Sequence, residues 1–129
     1  MAVALVGLDL TRIDRLEAAH TRRGERLLAR IFTPGERAYC AAKRERFQSY
    51  AGRFAVKEAT MKVLGTGWAR GVRWIDIEVV RERGPAPRCV LHGRAAEIAR
   101  ARGIASIHIA ITHDAGIAAA VAVAEGNLS

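Results

Sequence analysis

Arg53-Phe54-Ala55-Val56-Lys57-Glu58-Ala59-Thr60-Met61-Lys62-Val63-Leu64-Gly65-Thr66-Gly67 carries a helical pattern that runs directly into a glycine-bounded turn. At about 100° per residue, Glu58 and Lys62 fall one above the other, about 40° apart around the axis. Phe54 and Met61 flank that pair on one side, and Ala55, Ala59, Val63 and Val56 on the other, so both charges stand between apolar surfaces. A solvated ion pair sits more often on an all-polar face. Arg53, Lys57 and Thr60 form a second polar stripe, and Gly65 supplies the C-cap that lets the chain turn. One helix thus presents a carboxylate and several cations on two faces, the mix that a metal-bound, phosphate-rich ligand requires. Ordinary helix chemistry accounts for the same residues: Glu with Lys four positions on stabilises a helix by a few tenths of a kcal/mol, and Gly after a helix is common punctuation. Within this stretch both readings stand.

Around it lies a chain of 129 residues, 50% hydrophobic, which is enough for one domain with a real core and too short for two. A single domain over residues 1–129 is expected. The formal charge is +8, from 21 Lys and Arg against 13 Asp and Glu, which favours acidic partners: nucleic acid, a phosphorylated small molecule or an acidic protein. Cys40 and Cys89 show no CxxC spacing, so neither a zinc knuckle nor a disulfide framework is indicated, and a reduced, cytoplasmic protein fits. No basic n-region precedes the first apolar run, and no window approaches the about 20 apolar residues of a membrane span. Neither export nor a membrane is expected.

Val3 to Leu10 reads as a buried strand that ends by placing Asp9 at its C-terminal lip, before a helix starting at Thr11 with Asp14 in the capping position. A carboxylate at such a junction serves as a metal ligand or as a turn and cap residue. The helix to about Thr21 turns Ile13, Leu16 and Ala19 inward and leaves Arg12, Arg15, Arg22 and Arg23 as a basic face, either a solvated surface or a landing strip for an acidic partner. Leu27, Leu28, Ile31 and Phe32 form a further apolar stripe. Thr33-Pro34-Gly35-Glu36 then places an N-cap Thr, a Pro at N1 and a Glu at N3, starting a helix that runs to about Lys43. The central helix begins near Ser49. After it, Gly65-Thr66-Gly67-Trp68-Ala69-Arg70-Gly71 is dense enough in glycine to approach a ligand with backbone amides, and it matches neither a Walker loop nor a GxGxxG turn.

Ile75, Ile77 and Val79 alternate with Asp76, Glu78 and Val80 in a half-exposed strand, which Gly84-Pro85-Ala86-Pro87 turns into a second, Arg88 to His92. A helix follows from Arg94 to Arg102. The last two strands, Ile104 to Thr112 and Ile117 to Ala124, are joined by His113-Asp114-Ala115-Gly116. Ile107, Ile109 and Ile111 share a face, His108 takes the other, and His113 emerges in a turn as a hydrogen-bonding residue or a functional one. The order predicts an α+β fold with packed helices on a mostly antiparallel sheet.

Gly7-Leu8-Asp9-Leu10, Phe32-Thr33-Pro34-Gly35-Glu36, Arg53-Phe54-Ala55-Val56-Lys57-Glu58-Ala59 with Lys62 and Leu64-Gly65-Thr66-Gly67, and Ile111-Thr112-His113 with Ala118-Ala119-Ala120-Val121 together resemble the small holo-acyl-carrier-protein synthases, over nearly the whole chain. Those enzymes are 4′-phosphopantetheinyl transferases. They move the phosphopantetheine arm of coenzyme A onto a serine of apo acyl carrier protein and release adenosine 3′,5′-bisphosphate, in support of fatty acid or polyketide synthesis. The resemblance implies that Asp9 and Glu58 hold a magnesium ion on the pyrophosphate of coenzyme A. Magnesium keeps several waters and takes one or two protein carboxylates plus substrate phosphate. Glu58, or a metal-bound water beside it, would accept the serine proton, and Lys62 would stabilise charge at the attacked phosphate or protonate the leaving one.

By the same resemblance Arg53 and His113 lie near the 3′-phosphate and adenine, with Gly65, Thr66 and Gly67 lining the nucleotide pocket. Thr112 stands where the family commonly has Ser and keeps the hydroxyl, while Ile117 stands where an aromatic is common. The family assembles as a homotrimer with active sites between subunits. An acidic acyl carrier protein would dock on Arg12, Arg15, Arg22 and Arg23.

Two rivals carry different sequence demands. A small basic nucleic-acid-binding protein needs basic residues interleaved with aromatics, and two Trp, two Tyr and three Phe form no such set. A non-catalytic binding module of the same fold would tolerate loss of Asp9 or Glu58, and both are present.

Overall fold

Strand β1 (Ala2–Arg12) is followed by four helices, α1 (Ile13–Arg23), α2 (Glu25–Ile31), α3 (Pro34–Ala41) and α4 (Arg46–Leu64). Then come β2 (Ile77–Val80), β3 (Arg88–Leu91), α5 (Gly93–Ala101), β4 (Ile104–Asp114) and β5 (Ile117–Gly126). These elements come from a computed structural model, which describes residues 2–65, 70–81 and 86–128. Every strand pair is antiparallel: β5 lies between β1 and β4 in a three-stranded sheet, and β2 pairs with β3 separately. The α+β class and antiparallel sheet expected from the element order are what the chain adopts.

Helix α4 lies on one face of the larger sheet, and small residues set how close it comes. Ala118 packs in one cluster with Tyr50 and Ala51, Ala120 with Ala55 and Val56, and Ala122 and Ala124 with Ala59 and Val63. Each inward alanine of β5 therefore meets a successive turn of the helix, and all four are buried. Gly7 of β1 approaches closer still: a Cβ there would fall 2.1 Å from the carbonyl oxygen of Ala59, a separation no other residue type permits. The inner face of β4 supplies Ile107, Ile109 and Ile111, as the alternation predicts, with His108 on the other side.

The opposite face of the sheet is apolar and open. Val6, Leu8 and Leu10 are 65%, 60% and 66% exposed, and their register partners Val123, Val121 and Ala119 continue the surface across β5. The α3 start is the capping box that the sequence predicts: the Thr33 hydroxyl accepts from the Glu36 amide at 3.2 Å, and the Thr33 amide donates to Glu36 Oε1 at 2.9 Å. Helix α4 ends on Gly65 in the left-handed region, φ 74°, also as expected.

Several boundaries differ. β1 continues through Asp9 to Arg12, because antiparallel pairing with β5 persists to Arg12 opposite Ile117; Asp9 lies inside the strand, opposite Ala120, rather than at its lip. Helix α1 consequently starts at Ile13, with Asp14 in its first turn and paired to Arg12 at 2.9 Å. His113 is likewise a strand residue opposite Ala118, and the β4–β5 turn is only Ala115-Gly116, at φ 52° and 77°. Two positive φ values match the twist of the flanking strands, at a strain of about 1 kcal/mol for Ala115. The strand expected from Ile75 begins at Ile77, because Trp74–Asp76 form a turn of 3-10 helix held by the Asp76 carboxylate on the Arg73 amide at 3.0 Å. Thr66–Ala69 and the Gly84-Pro85 part of the predicted hairpin turn lie outside the described residues.

Candidate active site

Asp9 and Glu58 line one cavity of about 410 Å³, bounded by the end of β1, helix α1, helix α2 and the exposed side of α4. Strand β1 brings Asp9 there because its odd residues face α4, and the contact of Gly7 with Ala59 seats the strand against the turn of helix that carries Glu58. Leu16, Leu27, Ile31, Phe54 and Trp74 form the apolar part of the wall. The two oxygens of Asp9 are held separately: Oδ2 accepts from the Thr11 hydroxyl at 3.2 Å, and Oδ1 lies 3.4 Å from Lys62 Nζ. Lys62 Nζ also donates to the Leu8 carbonyl at 2.7 Å. The lysine predicted to stack on Glu58 therefore leans across to β1 and pairs with Asp9. Glu58 Oε1 instead accepts from the indole Nε1 of Trp74 at 3.1 Å, a residue that sequence reasoning missed.

The second polar stripe of α4 turns out to be internal. Lys57 is 0% exposed: its Nζ lies 2.8 Å from Glu36 Oε1 and donates to the carbonyls of Trp74 and Ile77. Glu36 Oε2 accepts from the Val79 amide at 2.8 Å, so both ions are satisfied inside the protein. Burial pushes the Lys57 ammonium below its ordinary value, against the pull of Glu36. This pair is structural, and Lys57 is not a ligand-facing cation. Its partners lie on α3 and β2, beyond the reach of a helical periodicity.

Arg53, in contrast, reaches a cavity. It is 5% exposed, its guanidinium lies 4.2 Å from the Tyr39 ring centroid, and Nη1 donates to the Ser49 hydroxyl at 3.1 Å. Its buried Nε has no hydrogen-bond partner among the described residues. Lys43, Arg44, Arg81 and His113 line the same cavity, of about 310 Å³, and His113 Nε2 lies 3.2 Å from Gln48 Nε2. Arg53 and His113, which the resemblance puts near the 3′-phosphate and adenine, thus line one cavity, whose basic side chains suit an anion. It shares no lining residue with the cavity of Asp9 and Glu58. Arg53 and Glu58 are five residues apart on one helix, hence about 140° apart around it.

Of the remaining predicted residues, Arg12, Arg15 and Arg22 line the cavity of Asp9 and Glu58 itself, whereas Arg23 is exposed outside it. Gly65 caps α4 beside Arg102, whose Nη1 donates to the carbonyls of Val63 and Leu64 at 2.9 and 2.8 Å. Thr66 and Gly67 lie outside the described residues. Thr112 and Ile117 are exposed. A larger depression of about 790 Å³, beside Ala115-Gly116, mixes acidic and basic side chains and includes neither Asp9 nor Glu58. No described helix is long and apolar enough to cross a membrane.

Among the described residues no cluster of three or more His, Cys, Asp or Glu side chains could enclose a metal ion. Two carboxylates in one cavity suit a hard cation that keeps waters and shares its sphere with substrate oxygens, and Mg²⁺ has those preferences. The donor set therefore fits magnesium and not a closed structural site.

This fold is that of a phosphopantetheine-transferring enzyme class. The model of the 4′-phosphopantetheinyl transferase superfamily matches residues 5–121, and the chain belongs to that family, among its holo-[acyl-carrier-protein] synthases. The Anaeromyxobacter dehalogenans (strain 2CP-1) holo-[acyl-carrier-protein] synthase is 48% identical over 126 residues, covering 98% of this chain and 96% of its own. That of Moorella thermoacetica is 48% identical over 123 residues, covering 95% and 94%. Among solved structures, the Helicobacter pylori holo-[acyl-carrier-protein] synthase in complex with coenzyme A superposes with a TM-score of 0.82 at 32% identity, covering 94% of this chain and 100% of that one.

Proposed function

We propose that this enzyme transfers the 4′-phosphopantetheine arm of coenzyme A to a serine hydroxyl of apo acyl carrier protein, releasing adenosine 3′,5′-bisphosphate, with magnesium as cofactor. The observation that carries the reading is the convergence of Asp9 and Glu58, from distant segments, on one cavity beside Lys62 and three arginines. Asp9 and Glu58 would hold the magnesium ion, which supplies charge neutralisation on the pyrophosphate. Glu58, or a water beside it, accepts the serine proton as the oxygen attacks phosphorus. Lys62, held on β1 by Leu8 and Asp9, stabilises the charge that develops on the phosphate and protonates the departing one.

The guanidinium of Arg53 and the side chain of His113, which line one basic cavity, bind the 3′-phosphate and adenine end of coenzyme A; the resemblance to the synthases adds Gly65, Thr66 and Gly67 to the nucleotide pocket. Because that pocket and the acid-lined cavity open on different sides of α4, one coenzyme A spans both only when two copies of the chain meet. The open apolar face of Val6, Leu8, Leu10 and Val121 supplies a surface for such assembly, and a homotrimer with sites between subunits satisfies both requirements. Arg12, Arg15, Arg22 and Arg23 dock the acidic carrier. Free thiols at Cys40 and Cys89 suit the cytoplasm, where such carriers serve fatty acid or polyketide synthesis.

Mass spectrometry of apo carrier protein incubated with this enzyme, coenzyme A and Mg²⁺ tests the reading. The expected result is a gain of one phosphopantetheine arm, lost when the metal is chelated. No gain with apo carriers of both fatty acid and polyketide type would overturn it in favour of a binding module.

A further inference from the structure

We infer that Trp74 is a positioning residue for Glu58, an inference that rests on the metal and proton roles proposed for that carboxylate. The indole Nε1–H is a donor only, and it meets Glu58 Oε1 at 3.1 Å from a residue outside the helix that carries Glu58. Glu58 therefore has one oxygen committed within the protein, and the other, Oε2, has no hydrogen bond among the described residues, beside the cavity that both residues line. A half-buried glutamate at a cavity wall still has three rotatable bonds. A fixed donor on one oxygen selects among their rotamers and aims the second oxygen.

The donor is itself anchored from three directions. The Trp74 carbonyl accepts from buried Lys57 Nζ at 3.1 Å, and its ring lies 5.7 Å from that of Phe54, tilted by 50°. Its 3-10 turn is closed by the Asp76 carboxylate on the Arg73 amide and side chain, each at 3.0 Å. A continuous path thus runs from the Glu36–Lys57 ion pair through Trp74 to Glu58. The rigid interior of the molecule holds the carboxylate that has to face solvent and substrate. Packing against Phe54 alone would need only an aromatic ring; the N–H is what makes tryptophan different from phenylalanine here.

Trp74→Phe keeps the ring and removes the donor. With Mn²⁺ as probe and coenzyme A present, electron paramagnetic resonance of the free ion should show a dissociation constant raised about tenfold, the scale on which outer contacts to metal ligands act. The KM for carrier protein and the thermal unfolding midpoint should stay near wild type. Unchanged Mn²⁺ affinity in folded Trp74→Phe would overturn the inference while leaving the proposed function standing. Wild-type protein that binds Mn²⁺ no better than Glu58→Ala would overturn the metal role of Glu58 and the inference with it. Should Trp74→Phe fail to fold, the two indole N–H signals of the chain carry the test by NMR: one must shift in Glu58→Gln, and the absence of any shift overturns the contact.

Discussion

The side of α4 that carries Lys57 and the side that carries Glu58 and Lys62 use the same residue types within six positions of each other, and they do opposite things. Lys57 meets a carboxylate and two carbonyls and is sealed from water. Lys62 is 57% exposed at its side chain, and Glu58 lines a cavity with one oxygen held by Trp74. A charge with all its hydrogen bonds satisfied inside the protein can only hold structure. A charge with bonding capacity directed at a cavity can bind or react. The difference is one of partners, and the partners of Lys57 come from α3 and β2, whereas those of Lys62 come from β1.

The sharpest way to break this contrast is to remove the buried cation. Lys57→Met leaves Glu36 charged and unpaired, and should cost about 3–5 kcal/mol in denaturant unfolding, abolishing activity only through loss of fold; adding Glu36→Gln should recover part of it. If Lys57→Met were stable yet inactive, Lys57 would belong with the catalytic group. On the open side, Asp9→Ala and Glu58→Ala should each lower turnover by about 10³-fold, the scale of a lost acid–base or metal contribution. Circular dichroism and the unfolding midpoint of both should stay near wild type. Chelation should mimic them without melting the protein; if chelator unfolds the chain, the metal is structural.

The smallest effect concerns the arginines around the cavity. Arg15→Glu reverses charge on an exposed helix face, and should raise the KM for carrier about tenfold through lost steering, with the KM for coenzyme A unchanged. Added salt should weaken the wild type more than this variant, because screening removes what the variant already lacks. Arg15 lines the cavity of Asp9 and Glu58, so the opposite outcome, lost coenzyme A affinity with carrier KM preserved, would move it from docking to nucleotide binding.

Much of this was legible in the chain itself. The capping box at Thr33 and Glu36, the left-handed Gly65, the inward Ile107, Ile109 and Ile111, and the antiparallel order all follow from local rules: a cap needs a hydroxyl and a carboxylate three residues apart, and a half-buried strand alternates. Glu58 stands out from the helical pattern and Asp9 from its place after a strand, while the resemblance to the synthases adds Arg53 and His113; the fold gathers the four into two cavities. Trp74 carried no signal, because its side chain acts on Glu58 only after the chain between them has folded back. Asp9 was misplaced at a strand end, since nothing local reveals that pairing with β5 continues to Arg12.

Periodicity and turn chemistry determined which faces are apolar and where helices start and stop, because those depend on residues within a few positions of one another. Tertiary structure alone decided that Lys57 is interior, that Lys62 serves Asp9 rather than Glu58, that Gly7 must touch Ala59, and that the arginine pocket and the acid-lined cavity open on different sides. Each of these is a contact between segments far apart in sequence, where the energy of burying a charge or closing a gap depends on what the other segment brings.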